Sequence, residues 1–242
     1  MLENNYRIGL VNFLNSYPFR YGLENNQIDF TTAVPSAVAQ GLSVDSLDIG
    51  LVPLAAFQDN PDWQRISNLG IASSKKVKTV MLFANKPLND IVFVRSDSDS
   101  MTSNRLCHVV FNSFLKREIV WNHTEKVDAV MKIGDKAFFA DTQFPLVYDL
   151  AEIWQKNTGL PFVFAVWAAN KVLDATFLKS FNVALQYGID NIDASVEKFE
   201  ELIAIQKPEA IDYLKKNIRY ELDENCVQSM LLFKELSQLL IK

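Results

Sequence analysis

Arg7-Ile-Gly-Leu-Val-Asn-Phe-Leu-Asn-Ser-Tyr-Pro-Phe-Arg-Tyr-Gly-Leu23 is the stretch on which the fold turns. Ile8, Leu10 and Phe13 suggest a short buried strand. The apolar run breaks at Asn12, Asn15 and Ser16, and Pro18 stands where a first helical turn would begin. A strand that runs through a polar elbow into a helix places side-chain amides and free backbone N–H groups at its carboxyl end. In open α/β sheets that end is where small ligands bind. The same asparagines could equally cap the helix and close a turn.

Two further strand–elbow–helix steps follow. Gln27–Val34 alternates apolar and polar residues, and Pro35-Ser36 opens a short helix. Leu47–Pro53 reads as a buried strand ending in a proline elbow, with a helix from Leu54 to Phe57. This β-α-β-α-β-α rhythm implies an α/β fold with a parallel sheet. Pro18, Pro35 and Pro53 all fall just after strands, so three strand ends are candidate ligand contacts. Asp48 is expected to face outward at the start of its strand.

Ile66–Ile71 and Thr79–Ala84 read as further strands, and the polar step Asn85–Asn89 suggests a lobe boundary. Ser96-Asp-Ser-Asp-Ser-Met-Thr-Ser103 then precedes a periodic helix, Leu106–Leu115. Hydroxyls and aspartates before a helix are good caps, and the same geometry offers donors to a carboxylate at the helix's positive end. Val127–Asp135 resembles a strand turning at Gly134-Asp135, and Tyr148–Gln155 an amphipathic helix stopped by Gly159. Leu160–Ala169 is a strongly apolar strand, and Lys171–Lys242 is helical by periodicity. Two lobes are expected: 1–85 plus 168–242, and 86–167. The C-terminal helices should return to the first.

Composition narrows the function. The 242 residues are 49% apolar with a formal net charge of −5 and no basic stripe, which argues against nucleic acid. The N-terminus lacks a basic and apolar leader, and no window suits a membrane span. Cys107 and Cys226 form no metal or redox spacing, so a reduced cytoplasmic setting is the simpler expectation. Nucleotide-loop, hydrolase-elbow and metalloprotease motifs are missing. Of the two histidines, His108 falls inside a predicted helix and His123 in a probable-turn sequence after Trp121-Asn122; both read as structural. Among the carboxylates, Asp135 is placed most suggestively, whereas Asp149 reads as a helix cap.

Taken together, Arg7–Gly9 with Phe13–Pro18, Val34–Ser36, Leu47–Pro53, Ser100–Ser103, Ile133–Asp135, Tyr148–Leu150 and Thr158–Trp167 resemble the chorismate dehydratases of the futalosine route to menaquinone. The matches run in the family's order over most of the chain. The resemblance implies a two-lobed, class II periplasmic-binding-protein-like fold with the ligand held in a cleft between lobes. It implies that chorismate loses water to give 3-[(1-carboxyvinyl)oxy]benzoate, with no metal and no cofactor. Asn15 falls on the family's strand-end asparagine and is the expected catalytic contact. Expected substrate contacts are Asn12, Ser16, Ser36, Pro53, Ser100, Thr102, Ser103, Gly134 and Asp135. Many family members carry arginine where this chain has Met101: if that arginine assists anion binding, affinity here is weaker or is supplied by Arg95 or Arg105, and if it only packs on the surface nothing is lost. The resemblance also points to the substrate's own enolpyruvyl carboxylate as proton acceptor. The alternative is a non-enzymatic small-anion binding protein of the same fold.

Overall fold

In a computed structural model of the chain, residues 6–122, 126–139 and 144–239 are described. The chain forms two compact units: Met1–Ala72 with Phe164–Leu222, and Ser73–Val163 with Asp223–Lys242.

The first unit carries a six-stranded sheet of order β11-β4-β10-β3-β1-β2. Its strands are β1 (Ile8–Val11), β2 (Thr31–Ala33), β3 (Ile49–Pro53), β4 (Gln64–Ser73), β10 (Phe162–Ala169) and β11 (Arg219–Glu221). β4 and β10 carry the chain over the border between units. β1 and β3 are buried along their whole length, as expected of central strands covered on both faces. β1 pairs in parallel with both β2 and β3, so the three strands end at the same edge of the sheet. β10 runs antiparallel to β3, from Ala165 opposite Pro53 to Ala169 opposite Ile49.

Each parallel strand feeds a helix: α1 (Tyr17–Asn25), α2 (Pro35–Ser43) and α3 (Leu54–Asp59). Proline occupies the first turn of α1 and α2, where no intrahelical donor is needed. β2 is shorter than the alternating sequence suggests. Gln27 adopts a positive φ of 55°, and the Ile28 N–H returns to Leu23 O, so the first half of that stretch closes α1 instead. α1 buries Tyr17, Phe19 and Leu23. Phe19 meets Trp167 and Tyr220 edge-on, with centroids 5.7 and 5.3 Å away. α1 also crosses α6 (Ala175–Asp190) without room for side chains. A Cβ on Gly22 would lie 2.0 Å from Ala184 O, and one on Gly188 1.8 Å from Pro18 O.

Asp48 does not face outward. It is 3% exposed, and its carboxylate accepts from the Arg7 N–H (2.9 Å) and guanidinium (2.7 Å) and pairs with Lys171 (2.6 Å). The hydrogen bonds from Arg7 hold its pKa well below the usual carboxylate range against the opposing effect of burial, with Lys171 adding to the shift. No local period marks this, because Arg7 and Lys171 are far from Asp48 in sequence.

The second unit holds a five-stranded sheet of order β7-β6-β8-β5-β9. The strands are β5 (Val80–Ala84), β6 (Phe93–Arg95), β7 (Val120–Trp121), β8 (Ala129–Ile133) and β9 (Leu146–Asp149). β6 and β8 are parallel, whereas β5 is antiparallel to β8 and β9. Asp149 caps α5 (Leu150–Thr158) by accepting from Ala151 N and Glu152 N, so the helix begins after Tyr148 rather than at it. Gly159, with φ 74°, ends it in the left-handed cap that glycine favours. α4 (Met101–Val109) begins earlier than its apolar period suggests and ends in a π-helical turn, Val110–Phe114.

The unit boundaries differ from those the sequence suggested. The Asn85–Asn89 step lies inside the second unit, since β5 before it is already paired to β8 and β9. The last helix, α9 (Glu224–Gln238), belongs to the second unit. Its Phe233 packs on Phe162 (5.0 Å between centroids) and Trp154 (5.9 Å), and Trp154 packs on Phe162 (5.1 Å). α7 (Ile192–Lys198) and α8 (Lys207–Lys216) stay with the first unit. Among the described residues no helix is long and apolar enough to cross a membrane.

Candidate active site

Each unit presents candidate residues where its parallel strands end. In the first, β1 runs out at Val11, and Asn12 donates its N–H to Ala33 O at the end of β2 (3.1 Å). The chain then makes a single 3-10 turn, Leu14–Ser16, before α1. Asn15 sits half-buried on that turn, and its carbonyl accepts from the Tyr220 hydroxyl (3.0 Å). The side-chain amides of Asn12 and Asn15 make no hydrogen bond with another described residue. Each therefore keeps a donor and an acceptor for a ligand.

Ser16 and Pro53 behave differently from expectation. Ser16 is fully buried, and its hydroxyl donates back to Val11 O and to Phe13 O (2.7 Å). It closes the elbow rather than meeting a ligand. Pro53 is buried opposite Ala165, stands just before α3 and has no N–H to offer, so its part is to turn the chain. Ser36 is half-buried in the first turn of α2, a helix whose start has no side-chain cap. Its position leaves a first-turn N–H at the same sheet edge as Asn12.

In the second unit, β6 ends at Arg95 and leads through Ser96–Asp99 into α4. Ser100 is the helix cap: its hydroxyl oxygen accepts from Ser103 N (3.0 Å). Capping therefore occupies the Ser103 N–H and one acceptor position of Ser100. Thr102 and Ser103 are buried, at 3% and 4% exposure. The Ser103 hydroxyl makes no hydrogen bond with another described residue and remains a donor. Met101, on the same first turn, is exposed. β8 ends parallel to β6, and Gly134 there has φ 61° with its N–H bound to Thr79 O (3.0 Å). Gly134 thus supplies a left-handed turn, and its N–H is not a free donor. Asp135 follows half-buried in the 3-10 turn Gly134–Phe138.

The two strand ends of this unit are joined by a residue the sequence reading passed over. Asp97, 4% exposed, accepts from Ile133 N (3.1 Å) and Asp99 N (3.1 Å) and pairs with Lys136 (2.7 Å). The hint lay in the Ser96–Ser103 run and in Lys136 beside Asp135, but nothing local couples positions 36 to 39 residues apart. Tyr220 was likewise missed, because it reaches Asn15 across 205 residues.

His108 lies half-buried in α4 against Trp121, with ring centroids 5.8 Å apart. Burial lowers its pKa, with Glu118 opposing, so the imidazole is a neutral packing element. His123 lies outside the described residues. Among the described residues no group of three or more His, Cys, Asp or Glu side chains is placed to hold a metal ion.

Residues 6–238 match the family described as menaquinone biosynthesis. The chain belongs to that family. It is similar to the chorismate dehydratase of Campylobacter jejuni, with 28% identity over 172 residues. That alignment covers 70% of this chain and 66% of the relative, just under two thirds of its length. It is also similar to the chorismate dehydratase of Thermus thermophilus, with 24% identity over 90% of both chains. Among solved structures, a protein from Archaeoglobus fulgidus superposes with a TM-score of 0.77 at 13% identity, covering 99% of this chain and 98% of its own. A Candida albicans protein described as having the generic periplasmic binding protein fold gives 0.65 at 11%, covering 98% and 91%. The fold is thus periplasmic-binding-protein-like: mixed α/β with two open sheets.

Proposed function

We propose that the chain is a chorismate dehydratase, a carbon–oxygen lyase that converts chorismate to 3-[(1-carboxyvinyl)oxy]benzoate and water. The observation that carries this reading is the pairing of unused neutral donors with strand ends. Asn12 and Asn15 follow β1, the Ser103 hydroxyl opens α4, and the two similar proteins above are named chorismate dehydratase. Chorismate carries two carboxylates, and a helix N-terminus with a free hydroxyl suits one of them.

The elimination needs orientation and a proton acceptor more than a strong protein base. The proton leaves the ring carbon that bears the enol ether and passes to the substrate's own enolpyruvyl carboxylate. The C–H electrons become a ring double bond, the neighbouring C–O bond breaks, and the leaving hydroxide takes the proton from the carboxylic acid just formed to become water as the ring turns aromatic. The donors must hold the carboxylate without quenching its basicity. Neutral amides and hydroxyls do this better than a tight arginine pair, which fits Met101 at the helix start.

The test is to incubate purified protein with chorismate and follow the aromatic product by absorbance, with Asp135→Asn and His108→Gln alongside. Turnover by all three supports substrate-assisted elimination. Binding of chorismate without product would make the chain a binding protein. Loss of several orders of magnitude in one folded variant would identify a protein base instead.

A further inference from the structure

We propose that Asp97 and Lys136 are a positioning pair that sets the α4 start for an anionic substrate and offsets part of the negative charge beside it. The inference rests on the chorismate reading above and concerns residues that act through the α4 start rather than on the reacting atoms.

Both carboxylate oxygens of Asp97 are engaged. One carboxylate oxygen accepts from Asp99 N (3.1 Å) and Lys136 Nζ (2.9 Å), the other from Ile133 N (3.1 Å) and Lys136 Nζ (2.7 Å). Its backbone is held as well. The Asp97 N–H donates to Asn104 Oδ1 (3.1 Å), and Asp97 O accepts from Asn104 Nδ2 (2.7 Å) and Ser100 N (3.2 Å). Asn104 lies just beyond the first turn of α4, so the cap Ser100, the helix and the end of β8 are tied to one residue. A shift of Asp97 would move the Ser103 hydroxyl with it.

The charge argument is independent of the geometric one. Asp97 and Asp99 place two carboxylates immediately before a helix whose N-terminus should receive an anion. Lys136 bonds to both, at 2.7 and 3.2 Å. Burial opposes its charge, yet Asp97 and then Asp99 hold the ammonium pKa above its ordinary value, so it stays charged at neutral pH. With Lys136 neutral, both carboxylates would repel an incoming dianion, and the helix dipole alone is worth too little to offset two full charges.

Lys136→Met keeps the stem and deletes the charge; Lys136→Arg keeps the charge. At low salt Lys136→Met should raise the KM for chorismate about tenfold or more while lowering kcat far less, the mark of lost substrate binding. Raising salt to about 1 M, where the screening length falls to about 3 Å, should narrow the KM ratio to wild type. Lys136→Arg should restore most of the affinity. A KM equal to wild type, or a deficit that ignores both salt and the arginine rescue, overturns the pair's role. If the wild-type protein neither binds nor converts chorismate, the functional reading fails, and amide exchange then judges the pair alone. Faster exchange at Asp99 and Ile133 in Lys136→Met supports the clamp, and unchanged exchange overturns it.

Discussion

Asn15 is the side chain proposed to act in the chemistry. Its carbonyl is fixed by Tyr220 while its amide is left without a partner among the described residues. Asn15→Ala should therefore keep the wild-type melting temperature and lose about a hundredfold or more in kcat, the usual cost of a donor aimed at developing charge. Normal turnover in that variant would return Asn15 to a turn-forming role. Asp48 is the opposite case, a side chain with every partner engaged and no place in the chemistry. Its folded pKa lies below the unfolded value, so its ion pairs stabilise the fold above the ordinary carboxylate pKa of about 4 and fade as pH falls below it. Asp48→Asn should accordingly melt below wild type at neutral pH, with the gap closing as the solution is acidified. A gap that stays constant with pH would mean that packing, not charge, is lost.

Helix α4 is the element on which the proposed binding turns. Ser100 consumes the Ser103 N–H as a cap, and Ser103 keeps its hydroxyl. Of capping and ligand binding, which the sequence left as competing readings, capping falls to Ser100 and the proposed ligand contact to Ser103, three residues on. Ser103→Ala removes a charge-assisted hydrogen bond of about 1.5–3 kcal/mol and should weaken chorismate binding about tenfold or more without unwinding the helix. Calorimetric titration checks the affinity, and unchanged binding would place the carboxylate elsewhere. The Ser100 cap should survive in that variant, because its donor is the backbone of residue 103.

At the scale of the molecule, the second unit is closed by the last helix. Phe233 is fully buried against Trp154 and Phe162, the latter on the strand by which the chain leaves this unit. Phe233→Ala should cost about 3–5 kcal/mol. The loss should appear first in the second unit, with amides of β5 and β8 exchanging faster than those of β1 and β3. Simultaneous loss of protection in all four strands would show that the units unfold as one.

Much of the first unit was legible locally. Apolar runs at Ile8–Val11 and Ile49–Pro53, each followed by a proline or polar elbow, encode strand, turn and helix within about fifteen residues, because backbone preference and burial period act at that range. The family, too, was readable from motifs in order along the chain. What required the tertiary structure was every pairing at long range. Arg219–Glu221 became a strand only because β4 offers it an edge, and α9 found its unit through aromatic contacts no periodicity specifies. The same holds for the site. The residue types at the strand ends could be read in order, but whether a hydroxyl is spent or spare depends on neighbours that the fold supplies. The Ser16 hydroxyl is spent on its own elbow, the Gly134 N–H on Thr79 and one acceptor position of Ser100 on its helix, whereas the Asn15 amide and the Ser103 hydroxyl bond to no other described residue. Sequence determines which groups are available, and three-dimensional hydrogen bonding decides which of them remain free for a ligand.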